Sequence, residues 1–167
     1  ICEGLVGSEM CIRDRENIQP LFANLAAGGF ACSHNGNLTN TEFLRKQLIK
    51  EGAIFQSSSD TEIILQLVAK SKKKNTIKKI IDALFRIKGA YSLVVLTKDK
   101  MFGIKYPFGT MPLVLVKIGR SFVLSSETCA LDMIGAKYIR DIENGEILEI
   151  SKTGLNSFRP FPKVNER

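Results

Sequence analysis

No stretch of this chain is apolar for anything near the ~20 residues that a membrane-spanning helix requires, so a helical membrane protein is not expected. No basic segment followed by an apolar one opens it, which argues against a secretory leader. Both absences point to a cytoplasmic protein. There is one histidine, His34, and the four cysteines, Cys2, Cys11, Cys32 and Cys129, never occur as C-x-x-C. A His/Cys metal site therefore has no spacing to build on. The cysteines read as reduced thiols rather than a disulfide framework. No internal repeat or low-complexity tract interrupts the chain.

What is present is ordinary for a soluble globular domain. The 167 residues are 44% hydrophobic and 25% charged, enough for one domain with its own core. The net charge of +7 is concentrated in Lys70, Lys72, Lys73, Lys74, Lys78 and Lys79. Aromatics do not interleave these lysines, and they straddle a helix–turn–helix junction. They read as a solvated surface, and no nucleic-acid partner is expected.

Periodicity predicts an α+β layered fold. A buried strand over Phe30–Ser33 leads into a polar turn, His34-Asn35-Gly36-Asn37-Leu38-Thr39-Asn40. Thr39-x-x-Glu42 then has the form of a capping box. It opens a helix with Phe43, Leu44, Gln47, Leu48 and Glu51 at helical spacing, stopped by Gly52. Ser58-Ser59-Asp60-Thr61-Glu62 repeats the device, with Ile63, Ile64, Leu67 and Val68 following. Asn75 caps a third helix carrying Ile77, Ile80, Ile81, Leu84 and Phe85, broken by Gly89. Strands follow. Ala90–Thr97 pairs with Met101–Lys105, Leu113–Lys117 with Ser121–Leu124, and Glu146–Ser151 with Leu155–Phe158. A short helix is expected over Glu127–Met133. The Pro160–Pro162 tail reads as a domain exit.

The chemistry-bearing residues are few. An asparagine amide beside a glycine N–H makes an oxyanion hole for amide hydrolysis, but N-G is also a common turn dipeptide. Asp60 stands at a helix start, where the dipole favours a carboxylate in any case. His34 reads as a structural turn residue rather than a base.

The strings HNGNLTN and SSDTE together resemble the glutamine pocket of class II (N-terminal-nucleophile) glutamine amidotransferases. Ser125–Asp132, Ile134–Asp141 and Glu143-Asn144-Gly145-Glu146 narrow the resemblance to the amidophosphoribosyltransferase branch. The resemblance implies a four-layer αββα sandwich of the N-terminal-nucleophile hydrolase type, here with its first strands missing. It implies that the Asn35 side chain and the Gly36 N–H form the oxyanion hole and that Asp60 pairs with the α-ammonium of glutamine. It further implies a parent that makes 5-phosphoribosylamine from glutamine and phosphoribosyl pyrophosphate in purine synthesis, as a homo-oligomer. Mg²⁺ would serve an absent phosphoribosyltransferase domain, and no cofactor or metal is expected in this chain.

The chain also departs from the family pattern. The nucleophilic cysteine that should lead the chain is absent, as is the Arg-Tyr-Ser-Thr stretch that holds the substrate carboxylate. Cys2 follows Ile1 and precedes Glu3, a poor substitute, and Arg13 and Arg15 have the wrong neighbours. Residues 1–15 match nothing in the family and read as a foreign leader. Residues 16–158 read as a partial glutamine amidotransferase domain, and residues 159–167 as the start of a connection to the phosphoribosyltransferase domain. In the family's Arg-Asp-Pro-x-Gly-x-Arg-Pro-Leu stretch, here Lys105–Leu113, Tyr106 and Met111 replace an acid and a base. Two functions are open: an inactive fragment of the glutaminase domain, or a nucleophile-less module that binds glutamine or a partner without turnover.

Overall fold

A computed structural model describes residues 17–109, 111–126 and 135–162. Among these residues nine strands and three helices build three stacked layers. β1 (Leu21–Leu25) and β2 (Gly28–Leu38) form a hairpin, and α1 (Thr41–Lys50), α2 (Asp60–Lys70) and α3 (Thr76–Leu84) follow. Next come β3 (Gly89–Thr97), β4 (Lys100–Lys105), β5 (Val114–Ile118), β6 (Ser121–Ser125), β7 (Lys137–Asp141), β8 (Ile147–Ser151) and β9 (Gly154–Phe158). The larger sheet has the order β1-β2-β3-β4-β8-β9, and the smaller has β6-β5-β7. Every pairing within them is antiparallel.

The helices cover one face of the large sheet. Phe30 and Cys32 of β2, Tyr91, Leu93 and Val95 of β3, and Phe102 and Ile104 of β4 point to that face. They meet Leu44 and Leu48 of α1, Ile63, Ile64, Leu67 and Val68 of α2, and Ile80 and Leu84 of α3. α2 is apolar over most of its circumference because it is central, touching both flanking helices and strands β1 and β2. α3 is one-sided, burying Ile80, Ala83 and Leu84 and leaving its lysine face in solvent, as a two-faced surface helix does.

The alternate residues of the large sheet face the small one. Val94, Leu148 and Ile150 pack there against Leu113, Leu115, Phe122, Leu124 and Ile142. Gly103 sets the approach: a Cβ at this position would stand 2.8 Å from a methyl carbon of Leu124. The small sheet covers β3, β4 and β8 but leaves the facing side of β1 open, where Phe22 is 64% exposed. Helices on a sheet on a sheet is the αββ order of the expected sandwich. The helix expected over Glu127–Met133, like the 1–15 leader with Cys2, Cys11, Arg13 and Arg15, and like Cys129, lies outside the described residues.

A buried ion pair joins the two sheets at one end. Glu146, 1% exposed, receives both arms of Arg140 from β7 at 2.7 and 2.8 Å. Its carboxylate also accepts the Glu143 N–H at 2.9 Å and the Ser157 hydroxyl of β9 at 2.7 Å. Burial raises this carboxyl, but the four donors outweigh burial and hold it at about 2.

The hairpins expected from turn chemistry are present. Two strands were not anticipated: β1, and β7, whose residues are largely exposed and lack apolar alternation. The expected polar turn over His34–Asn40 is a correction. β2 runs unbroken to Leu38, with Asn35 opposite Ser92 and Gly36 opposite Tyr91. The capping boxes also differ. α1 starts at Thr41 after Asn40, and neither Thr39 nor Asn40 caps it with a side chain. Asn75 precedes α3 but likewise makes no side-chain cap. Ser59 does cap α2, accepting the Thr61 N–H at 3.2 Å, whereas Glu62 reaches past it to the 56–57 loop. Among the described residues no helix is long and apolar enough to cross a membrane.

Candidate functional site

β2 brings the site together because it presents two faces in alternation. Ser33 and Asn35 face the small sheet, and His34 and Gly36 face the helices. Ser33, His34 and Asn35, with Ser92 and Val94 of β3, line one side of a cavity of about 390 Å³. Pro112 and Leu113 before β5, and Leu124, Ser125 and Ser126 at the end of β6, form the other side. That volume falls in the ~300–1,000 Å³ range of small-molecule sites. Ser33 and Ser92 were not singled out in the sequence, and Ser125 and Ser126 entered only as part of the Ser125–Asp132 string; Ser33, two residues from Asn35, shares its face once β2 is known to be a strand.

Gly36 is required by close approach, not by a turn. Its φ is +132°, and a Cβ there would lie 2.1 Å from the carbonyl oxygen of Ala90. Gly89, φ +148°, stands in the same relation to the carbonyl of Asn37. Two glycines thus let β2 and β3 cross tightly at the point where the strand carries Asn35.

Asp60 sits at the far end of β2, on the helix side. Its Oδ2 accepts the Leu38 N–H at 3.3 Å, and it is the first residue of α2, whose N-terminal dipole favours its charge. It does not line the cavity. The loop that delivers it is held by two side chains. Glu62 accepts the N–H groups of Gln56 and Ser57 at 2.8 and 2.7 Å, and the Ser57 hydroxyl at 2.7 Å. Arg45 of α1 donates to the carbonyls of Ser57 and Ser59 at 2.9 and 3.3 Å and lies 4.2 Å over the Phe55 ring. The end of β2 is fixed equally firmly. The Asn40 amide donates to the Arg86 carbonyl and accepts the Lys88 N–H, each at 2.9 Å. That clamp was not read from the sequence, though an amide able to donate and accept at once is the signal for it.

His34 is a strand residue. Its N–H donates to the Gln19 side chain at 2.6 Å, and its ring stands edge-on to Tyr91 at 6.4 Å. Burial lowers its pKa, with the Asp60 charge partly offsetting this, so it is neutral at physiological pH. Cys32 is fully buried, and burial pushes its thiol up to about 12. It is protonated at neutral pH and unsuited to nucleophilic attack. Among the described residues no group of three or more His, Cys, Asp or Glu is placed to hold a metal ion.

Comparison with known proteins gives the family of the chain. A family model described as a glutamine amidotransferase domain matches residues 8–133. The amidophosphoribosyltransferase of Rhizobium etli is 49% identical over 156 residues, covering 90% of this chain and 32% of that protein. Amidophosphoribosyltransferase 1 of Arabidopsis thaliana, a chloroplastic protein, is 43% identical over 91% of this chain and 27% of its own length. Among solved structures, glutamine phosphoribosylpyrophosphate amidotransferase from Bacillus subtilis, complexed with ADP and GMP, superposes with a TM-score of 0.86. It does so at 40% identity over 90% of this chain and 33% of that one. The chain thus spans about a third of the length of the relatives it matches.

Proposed function

The chain belongs to the glutamine amidotransferase family, and on that premise we propose that it is the glutamine-handling part of an amidophosphoribosyltransferase. In the parent reaction the amide nitrogen of glutamine is released by hydrolysis, leaving glutamate. The nitrogen then displaces pyrophosphate from phosphoribosyl pyrophosphate, giving 5-phosphoribosylamine, the first step of purine synthesis. The second half belongs to a further, Mg²⁺-using domain. No cofactor is assigned to this part. A cytoplasmic setting and a homo-oligomeric parent complete the reading.

The observation that carries it is the run Asn35–Leu38 in one strand. Asn35 lies on the cavity wall, Gly36 has its backbone free of any side chain, and Leu38 holds Asp60. The roles follow from charge. The Asn35 amide and the Gly36 N–H donate to the oxygen that becomes an oxyanion when the glutamine carbonyl is attacked, and losing one such donor costs roughly 10²–10³ in rate. Asp60 takes the α-ammonium. A strand advances ~3.3 Å per residue, so Asp60 is anchored roughly 10 Å along β2 from Asn35. Glutamine spans roughly 6 Å from amide to ammonium, with a ~2.9 Å hydrogen bond at each end; since Asn35 faces the small sheet and Asp60 the helices, one substrate reaches both along the edge of β2 beyond Cys32, where its pairing with β1 has ended. Residues 16–158 are the glutamine domain in this reading, and 159–167 lead towards the second domain.

No nucleophile is assigned among the described residues, since Cys32 is buried and protonated. The chain alone is therefore expected to bind glutamine without hydrolysing it. Calorimetry with L-glutamine and an assay for glutamate release test this together on the full chain. Saturable binding that weakens at least tenfold in Asp60→Asn, with no glutamate released, supports the reading. Absence of glutamine binding overturns it, and steady glutamate release overturns the assignment of no turnover.

A further inference from the structure

Four aromatic rings make a contiguous surface patch. Phe85, at the C-cap of α3, is 58% exposed, and Phe108, in the turn after β4, is 62% exposed. Phe161 lies 5.5 Å from Phe85, and Tyr106 lies 6.4 Å from Phe161 and 5.9 Å from Phe108, between ring centroids. Adjacent exposed rings of this kind mark interaction surfaces, where aromatics are enriched. Two of them, Tyr106 and Phe108, lie in the stretch that joins β4 to β5.

That stretch reaches the cavity. At its far end Pro112 and Leu113 line the wall, and the Met111 carbonyl accepts the Ser92 hydroxyl at 2.8 Å. On the inward side the Tyr106 ring packs at a 42° tilt against Tyr91, centroids 4.8 Å apart, and Tyr91 lies opposite Gly36 and edge-on to His34. Anything seated on the patch bears on the cavity wall and on the underside of the Asn35 strand.

We propose that the patch formed by Phe85, Tyr106, Phe108 and Phe161 is the docking surface for the domain that receives the nitrogen released from glutamine. The choice of partner rests on the function proposed above; the surface does not. Two facts select this occupant. The relatives are about three times as long as the part matched here, and Phe161 belongs to the segment by which the described chain leaves β9. Arg86 and Lys105 flank the rings in sequence, so the partner presents an apolar centre with an acidic rim.

Hydrogen exchange on the full chain tests it, alone and fused ahead of the remainder of the Rhizobium etli relative. Amides of residues 104–109 are expected to exchange at least tenfold more slowly in the fusion, while α1 around exposed Phe43 is unchanged. Phe85→Ser with Phe108→Ser should restore the rate to within twofold. Equal exchange in both forms, or equal slowing over α1, overturns the proposal. A second measurement does not depend on the fusion: the labelled chain is titrated with the separately purified remainder. Saturable binding weakened at least tenfold by the double substitution supports the proposal, and absence of binding in this titration overturns it. Calorimetry with glutamine on the same samples separates this failure from a failure of the glutamine reading, since it needs no partner.

Discussion

Replacing Glu146 by glutamine should loosen the two sheets from one another, and the structure sets the size of the effect. The wild-type carboxylate takes four hydrogen bonds and is 1% exposed. Its pKa falls from 4.5 to about 2, and at 1.36 kcal/mol per unit the folded state gains about 3 kcal/mol from keeping it charged. Arg140 is 37% exposed, so water screens part of this and about 3 kcal/mol is an upper figure. Because the folded pKa is the lower one, the contribution is full above pH 4.5 and is lost as pH falls through 2. The chain contains no tryptophan, so urea unfolding can be followed by tyrosine fluorescence, with buried Tyr91 as reporter. Glu146→Gln should cost roughly 2–3 kcal/mol at pH 7, and its difference from wild type should shrink as pH drops from 5 towards 2. A difference below about 0.5 kcal/mol at pH 7, or one independent of pH, would refute the ion pair as the tie between the sheets.

Four further outcomes test the site. Gly36→Ala should destabilise the fold by more than about 1 kcal/mol, because its Cβ meets the Ala90 carbonyl; unchanged urea unfolding would contradict this. In a parent enzyme carrying this domain and a nucleophile, Asn35→Ala should lower glutamine hydrolysis by roughly 10²–10³, while ammonia-dependent synthesis stays intact. The His34 ring, followed by NMR, should titrate below 6.5, since burial outweighs the Asp60 charge; a midpoint above that value would show the ring to be in water or ion-paired. Cys32 should resist alkylation in the native chain at pH 8 and react once urea unfolds it, as peptide mass mapping will show.

Much of the architecture was legible in the sequence because local signals and tertiary packing agree. Lys98-Asp99, Gly119-Arg120 and Lys152-Thr153 close three hairpins that the structure contains. Helical spacing located α1, α2 and α3 to within a few residues. The failures share a cause. Asn35-Gly36 has the composition of a turn, yet Gly36 is needed for a close strand crossing, and nothing local distinguishes the two demands. Thr39 and Asn40 suit an N-cap, but Lys88 and Arg86, nearly fifty residues on, take their hydrogen-bonding groups. β7 is recruited by the edge of β5 rather than by an apolar pattern of its own. At the candidate site, Asn35, Gly36 and Asp60 were expected from the family resemblance rather than from local pattern. The serines beside Asn35 and the clamps on the Asp60 loop needed the register of β2.

The central claim is that glutamine lies along β2 between Asn35 and Asp60. Amide NMR of the full ¹⁵N-labelled chain during an L-glutamine titration tests it most directly. The expected result is saturable shifts at the Gly36 and Leu38 N–H groups and at the Asn35 side-chain amide, abolished by Asp60→Asn. Shifts elsewhere with these three signals unmoved, or no saturable shift at all, would contradict the account.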